Sequence, residues 1–479
     1  MYRSRAREPR PPTAYVQFPD TPGKPAPRRT NNGVTILSKR ERLMVLNWLR
    51  STEFPLPAFC LIVVINAAMF AIFPQVGGAV GAETGTDGYK EIAENLVQGR
   101  GFIFAAGMRS AGMVGYMKRE PIYPLFLAGI LRITGTLNPL VLCIFQTALC
   151  LFSCWLIYRV GRYIFDSATA TVAAYLYALH PVSFWYSGRF ASEMVAVPIS
   201  LLTLLAAVKF LDSPSGATAG RIGLMVGVAA LAKSAYAVAL PLVLVFALIR
   251  ERAHVRRIVP LIGLAIICYA GVHSLWLVRN YRLAGEIVPF TTMNGFSFFV
   301  GNKIFDEFDR TKQTAGFEPD QSADVLYRSV QAEIETANPG LSMPQLEART
   351  DARLIEMARR LAVASPWYVI KKVSAGAIWI WYLSDTTAKS FGWMVFQLPL
   401  LLLAIVSLYR EDQWTLSKAF LVTFALAYVL SYAAVSPLAR YGMVIIPVVM
   451  LFASHGLANW LKSNLYTRHL TSQWVPSTS

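Results

Sequence analysis

Charge is scarce in this sequence. Asp, Glu, Lys and Arg together make up 15% of the 479 residues and hydrophobic residues 55%, so the apolar side chains exceed what one soluble core could bury. A single soluble domain is excluded. Acidic residues are scarcer still, 28 against 45 bases for a net charge of +17. In a soluble chain that excess would point to nucleic acid; here its placement points elsewhere, and no nucleic-acid partner is expected. Cysteine is nearly absent: Cys60, Cys143, Cys150, Cys154 and Cys268 all sit inside apolar runs. Cys150 and Cys154 stand one helical turn apart, yet no His or carboxylate lies at ligand spacing. Neither a disulfide nor a zinc site is expected, and packing is the role of the pair. No repeat relates the two halves of the chain, which argues against a transporter, whose folds tend to show one.

What fills the chain is a series of apolar runs near 20 residues long, the length that crosses a hydrocarbon core of roughly 30 Å. We expect ten membrane helices, near 54–76, 139–158, 168–186, 191–211, 221–232, 235–249, 258–278, 391–409, 416–435 and 438–460. Residues 1–50 carry eleven bases against three acids, with seven prolines between Pro9 and Pro27, and read as a disordered basic tail kept in the cytoplasm. The first apolar run begins only behind that tail, near Phe54, unlike a cleaved secretory signal. With the N-terminus inside, the basic turns around Arg159–Arg162, Lys209–Arg221, Arg250–Arg257 and Arg410–Lys418 also fall inside, as positive charge prefers.

Residues 77–138 and 279–390 then fall outside, the second with thirteen acids and thirteen bases. The expected organisation is a tail over 1–50 and a transmembrane catalytic module over 51–278, with its first outer loop at 77–138. An outer region over 279–390 and C-terminal transmembrane helices with a short tail over 391–479 complete it. Within the first loop, Asp87–Gln98 places Tyr89, Ile92, Ala93 and Leu96 at helical spacing, an amphipathic helix lying along the membrane and ended by Gly99 and Gly101. Pro121–Ile133 is short for a span and should lie at the interface or be re-entrant. Trp367–Leu383 reads as an interfacial helix, because a span there would put Arg410–Lys418 outside. The fold class is an all-α polytopic membrane protein of about ten transmembrane helices, with interfacial helices on its outer face.

Charges that begin or interrupt membrane segments are expensive and so mark function by default. Four sites qualify, all on the outer side: Asp87; Arg189 with Glu193 at an outer turn; Lys233, interrupting GVAALAKSAYAVALP; and Arg440 in SPLARYGMVIIP. Each has a plainer role open to it. Asp87 could cap the helix after it, Arg189 and Glu193 could form a surface pair at i, i+4, Lys233 could snorkel to headgroups, and Arg440 could anchor a span end. His180, before Pro181, reads as a hydrogen-bonded residue near a helix end.

The stretches TDGYKEIAENLVQGRGF, REPIYPLFLAGILRITG, HPVSFWYSGRFASEMV, GLMVGVAALAKSAYAVALPLVLVF, WLVRNYRLAGEIVPFTTMNGFSFFVGN and ARYGMVIIPVVMLFASHGL together resemble the glycosyltransferase C superfamily. The likeness is to its bacterial family 39-like members, relatives of protein O-mannosyltransferases and of the lipid A aminoarabinose transferase. The resemblance implies a membrane transferase that takes a sugar from a polyprenyl-phosphate-linked donor, with inversion, to a glycan, lipid or protein acceptor. It would work on the outer face of the bacterial cytoplasmic (inner) membrane, facing the periplasm. It implies Asp87 as the loop-one acid that acts as base or orients the acceptor, Glu193 as a second acid, and Lys233 and Arg440 as cations for the donor phosphate. Arg279 and Tyr281 match a family turn, and Arg119, Arg189 and Tyr441 join them as weaker substrate-binding candidates. Two positions depart from the pattern: Gly88 follows the loop-one Asp where protein mannosyltransferases place Glu, and Lys stands at 233 where Arg is commoner. A lipid-phosphate donor does not demand a metal, and no cofactor is assigned, although the outer acids leave room for a divalent ion. The alternatives are a lipid or solute transporter, and a polysaccharide ligase or polymerase taking an oligosaccharide donor.

Overall fold

The computed structural model describes residues 55–72, 88–104, 115–311 and 320–472, all within one compact unit, Leu46–Ser479. The expected tail over 1–50 lies outside the described residues. Among those described the chain is helical, with one isolated antiparallel bridge, Phe104 to Gly115.

The apolar runs become helices α1 (Leu56–Ile72), α4 (Pro139–Ile164), α5 (Ser167–Leu179), α6 (Glu193–Asp212), α7 (Gly216–Ala232), α8 (Ala239–Arg250), α9 (Val255–Ala284), α14 (Thr387–Tyr409), α15 (Leu416–Ala433) and α17 (Ile446–Ser472). Between them lie α2 (Tyr89–Val97), α3 (Ile122–Thr134), α10 (Asn294–Thr311), α11 (Asp320–Ala337), α12 (Met343–Ala364), α13 (Pro366–Trp379) and the single turn α16 (Ala439–Gly442). A helix thus stands at each of the ten expected runs. Five of them, α4, α6, α9, α14 and α15, are long and apolar enough to cross a membrane by length and composition. Among the described residues the other apolar helices are shorter or less apolar, so the ten exact spans are not confirmed, and two of the runs are visibly broken. The run expected over 168–186 ends at Leu179, where His180 and Pro181 start a 3-10 turn. The run over 438–460 opens with the separate turn α16.

Local chemistry fixes these boundaries. Asn138 accepts from Val141 N ahead of Pro139, and Asp166 accepts from Thr169 N, each satisfying an orphan donor of a first turn. Gly135 and Gly285 close α3 and α9 in the left-handed conformation, at φ 73° and 68°. The bundle packs α7 on α9 and α6, α4 on α5 and α6, and α17 on α14 and α5. Small residues allow the closest of these approaches: a Cβ added to Gly223 would fall 2.2 Å from Ala265 O, and one on Gly227 2.9 Å from Val272 Cβ. Without a hydrophobic force between helices in lipid, such surfaces let backbones touch.

The region over 279–390 is richer in helices than expected. A helix, α13, stands where one was expected over Trp367–Leu383, and three further helices, α10 to α12, precede it and form a module with it, with α10 and α11 packed on α12 and α13 on α15. Lys372 of α13 turns inward and does not reach for headgroups. It is buried, its Nζ donating to Phe298 O (3.0 Å) and Asn302 Oδ1 (2.7 Å) over the Phe298 ring. Burial pushes this ammonium down to about 7.

Candidate functional site

Helix α6 opens on Glu193, and the preceding residues 180–192 form turns, with no helix through Arg189. The i, i+4 spacing of Arg189 and Glu193 therefore does not place them on one helix face, since that spacing aligns side chains only inside one helix. Arg189 lies over the Trp185 ring (4.9 Å). Glu193 reaches across to Lys233, Nζ to Oε1 2.9 Å, with 3% and 6% of the two residues exposed. Lys233 does not snorkel. Helix α7 stops at Ala232, Lys233 is extended (φ −153°, ψ 120°), and a 3-10 turn, Ser234–Val238, leads into α8. That break points the ammonium into the bundle.

Around this buried pair the chain gathers further polar groups. Lys233 Nζ lies 5.3 Å from the Tyr441 ring centre. Arg440 of α16 sits over the same ring (4.8 Å) and donates to Tyr441 Oη (2.8 Å), and its charge also acts on Glu193. Tyr441 stacks on Tyr432 at 4.7 Å. Glu120 accepts from Ser234 N (3.2 Å), one residue from Lys233. Tyr89 Oη donates to Ser192 Oγ (3.2 Å), and Arg119 lies over the Tyr89 ring (5.7 Å). Tyr89 and Glu120 thus meet the residues that flank α6 and α7. Lys233 and Arg440 both act on Glu193, so this trio has a formal surplus of positive charge, with Lys233 and Glu193 buried and Glu120 also acting on Lys233; an anion gains most where cations are withdrawn from water.

Behind the site, Gln146 Nε2 donates to Tyr186 O, Ser187 O and Arg189 O, and its Oε1 accepts from Tyr123 Oη (3.2 Å), while Ala191 N donates to that hydroxyl (2.9 Å). This network fixes the turns ahead of Glu193. His180 is the hydrogen-bonded end residue expected of it, accepting from Val182 N.

The expected site residues divide as follows. Glu193, Lys233, Arg440 and Tyr441 come together, with Arg119 beside them. Asp87 lies outside the described residues; the helix expected from it begins at Tyr89, with Gly88 at its cap in the left-handed conformation (φ 78°), and Tyr89, Ile92 and Ala93 form its buried face. Arg279 is engaged elsewhere, donating to Tyr116 O (2.8 Å) and Phe102 O (3.0 Å) over the rings of Trp276 and Phe102. Tyr281 is 55% exposed. Glu120, Tyr89, Tyr432 and Gln146 were not among the candidates. Glu120 carried a signal in Lys118-Arg119-Glu120, a charged run beside an apolar helix. Gln146 carried one too, as an uncharged polar side chain in an apolar run. No group of three or more potential metal-ligating side chains exists among the described residues.

Residues 118–276 match the family model described as dolichyl-phosphate-mannose-protein mannosyltransferase. Among solved structures, the apo oligosaccharyltransferase of Archaeoglobus fulgidus is similar with a TM-score of 0.53 at 12% identity, over 90% of this chain and 53% of that one. The same enzyme tethered with an acceptor peptide containing the NVT sequon gives 0.50 at 13%, over 88% and 51%. ArnT from Cupriavidus metallidurans in the apo state aligns over 82% of this chain and 76% of its own, at 13% identity and a TM-score of 0.33. The chain spans about half the length of the archaeal enzymes, and at this identity the likeness is one of fold. No curated protein matches by sequence.

Proposed function

We propose that this chain is a member of the glycosyltransferase C superfamily, a reading supported by its fold and by the match of residues 118–276, and that it transfers a sugar from a polyprenyl-phosphate donor to an acceptor hydroxyl outside the cytoplasmic membrane. The observation that carries this reading is the buried Glu193–Lys233 pair with Arg440 and Tyr441 against it, at the ends of apolar helices. A lipid phosphate lies at the membrane surface, and a site for its headgroup must offer cations there.

Lys233 and Arg440 hold the donor phosphate. As the bond between the anomeric carbon and the phosphate oxygen breaks, negative charge grows on the leaving group, and cations fixed in a largely dry site stabilise it more than water does. Glu193 orients Lys233 and offsets its charge in the empty site. The acceptor hydroxyl attacks the face opposite the leaving phosphate, which inverts the centre. Asp87 takes its proton, a contribution typically of about 10²–10⁴-fold. Arg119, Arg189 and Tyr441 contact substrate at the rim.

The test is transfer by protein reconstituted in lipid and supplied with polyprenyl-phosphate-linked monosaccharides, read as release of free polyprenyl phosphate with a sugar-bearing product. Asp87→Asn should remove most of the turnover and leave donor binding, and Arg440→Ala should weaken donor binding. Near wild-type turnover in Asp87→Asn would sink its role as base, and unchanged affinity in Arg440→Ala would reduce that residue to a helix anchor.

A further inference from the structure

A buried carboxylate of the outer module holds the backbone of the first outer loop. Glu347 of α12 is 2% exposed; its Oε2 accepts from Tyr116 N (2.8 Å), and its Oε1 from Met117 N (3.0 Å) and from the Thr292 hydroxyl. The remaining main-chain groups of these two residues are also taken: Tyr116 O accepts from Arg279 (2.8 Å) and Met117 O from Thr292 N (3.0 Å). Two consecutive peptide units are therefore held on every polar atom by groups from α9, α12 and the segment between α9 and α10. Irregular backbone so fully anchored has little freedom, since its donors and acceptors have no competing partners. The chain leaves this clamp as Lys118, whose Nζ lies over the Tyr327 ring of α11 (4.7 Å). It then enters the site as Arg119 over Tyr89 and Glu120 on Ser234 N. Three residues of extended chain cover only about 10 Å, so a shift at Met117 is passed to Glu120 with little slack.

We infer that Glu347 is a positioning residue for the proposed transfer site, fixing the Tyr116–Met117 strap so that Arg119 and Glu120 are presented beside the Glu193–Lys233 pair. The inference rests on the proposed function for its kinetic consequence only. The outer module is then part of the site's geometry: it sets the loop that faces the acceptor, while Lys233 and Arg440 on the bundle hold the donor. Misplacement of about 1 Å can cost on the order of 10²-fold in turnover, so losing the clamp acts on the catalytic step more than on donor affinity.

The experiment uses full-length Glu347→Gln and Glu347→Ala in lipid nanodiscs. A glutamine retains one carbonyl oxygen where the carboxylate had two and turns an N–H toward a main-chain donor, so it loosens the strap with little change of volume. Amide hydrogen exchange should quicken by about tenfold or more at Tyr116 and Met117, since exchange follows the open population. It should also quicken at Ser234, whose N–H is held by Glu120. A role confined to the α12 surface would move the first two amides and leave Ser234 unchanged, and that result would overturn the inference. With a polyprenyl-phosphate sugar as donor, kcat should fall by about 10–100-fold while KM for the donor stays within about twofold. Equal loss in kcat, donor affinity and thermal stability would mark a merely structural residue and also overturn it. If the wild-type protein transfers from no such donor, the functional reading falls, and exchange at Ser234 still decides whether Glu347 governs the loop.

Discussion

Glu193 and Lys233 are 40 residues apart, and nothing in their spacing announces that they meet. Each was legible as an unusual charge at a helix end. Their pairing was not, because it depends on where α6 begins and α7 stops, and those ends are set by turns that hydropathy does not resolve. The same limit explains Arg189: four residues before Glu193 looks like one helical turn only if the helix is already running. The pair carries a stability consequence. Breaking a buried ion pair by removing one partner costs about 3–5 kcal/mol, because it leaves a charge unmatched away from water, whereas replacing both partners with apolar residues costs less. Glu193→Leu and Lys233→Met should each lower unfolding stability by about 3 kcal/mol, and the double variant Glu193→Leu with Lys233→Met by well under the sum. Denaturant titration in detergent micelles measures all three. Additive losses would mean that the two groups do not depend on one another.

At the level of elements, the apolar helices were readable from run length and the outer module was not, although its pattern is in the chain. Leu346, Thr350, Leu354 and Met357 of α12 recur at three- and four-residue spacing, the stripe of a helix with one buried face. Such a stripe carries less hydropathy than a membrane span, and in a chain full of spans it is easily passed over. The module also buries acid. Asp351 accepts from Gly295 N (2.8 Å), and burial, with Glu347 nearby, lifts its carboxyl from the ordinary range to about 7. A carboxyl whose folded pKa is raised binds its proton more tightly when folded. Its contribution to stability is complete below the unfolded value of about 4 and is lost as pH rises through about 7, at roughly 1.4 kcal/mol per unit in that window. Thermal unfolding should therefore show less stability at pH 7 than at pH 5. Asp351→Asn should flatten the dependence, because an amide oxygen can still accept from Gly295 N and does not titrate. Glu347, also raised by burial, should leave a slope of the same sign. A variant that keeps the full wild-type slope would show that Asp351 is already charged at pH 5.

On the scale of the whole molecule, orientation rests on α9. At about 1.5 Å per residue its 30 residues run roughly 45 Å, longer than a hydrocarbon core. One end carries Arg256 and Arg257 behind His254; the other carries Arg279, tied to the loop that enters the candidate site. The site and the basic cluster thus lie at opposite ends of one span. Lys and Arg near short loops resist translocation, whereas the module of α10 to α13, with thirteen acids and thirteen bases over residues 279–390, does not, and we expect it outside. In a variant with Cys60, Cys143, Cys150, Cys154 and Cys268 replaced by Ala, a cysteine at Ala337, exposed at the end of α11, should react with a membrane-impermeant maleimide in intact cells. One at His254, exposed at the start of α9, should react only after permeabilisation. The reverse pattern would turn Glu193, Lys233 and Arg440 toward the cytoplasm, and a donor presented on the outer leaflet could then no longer reach them.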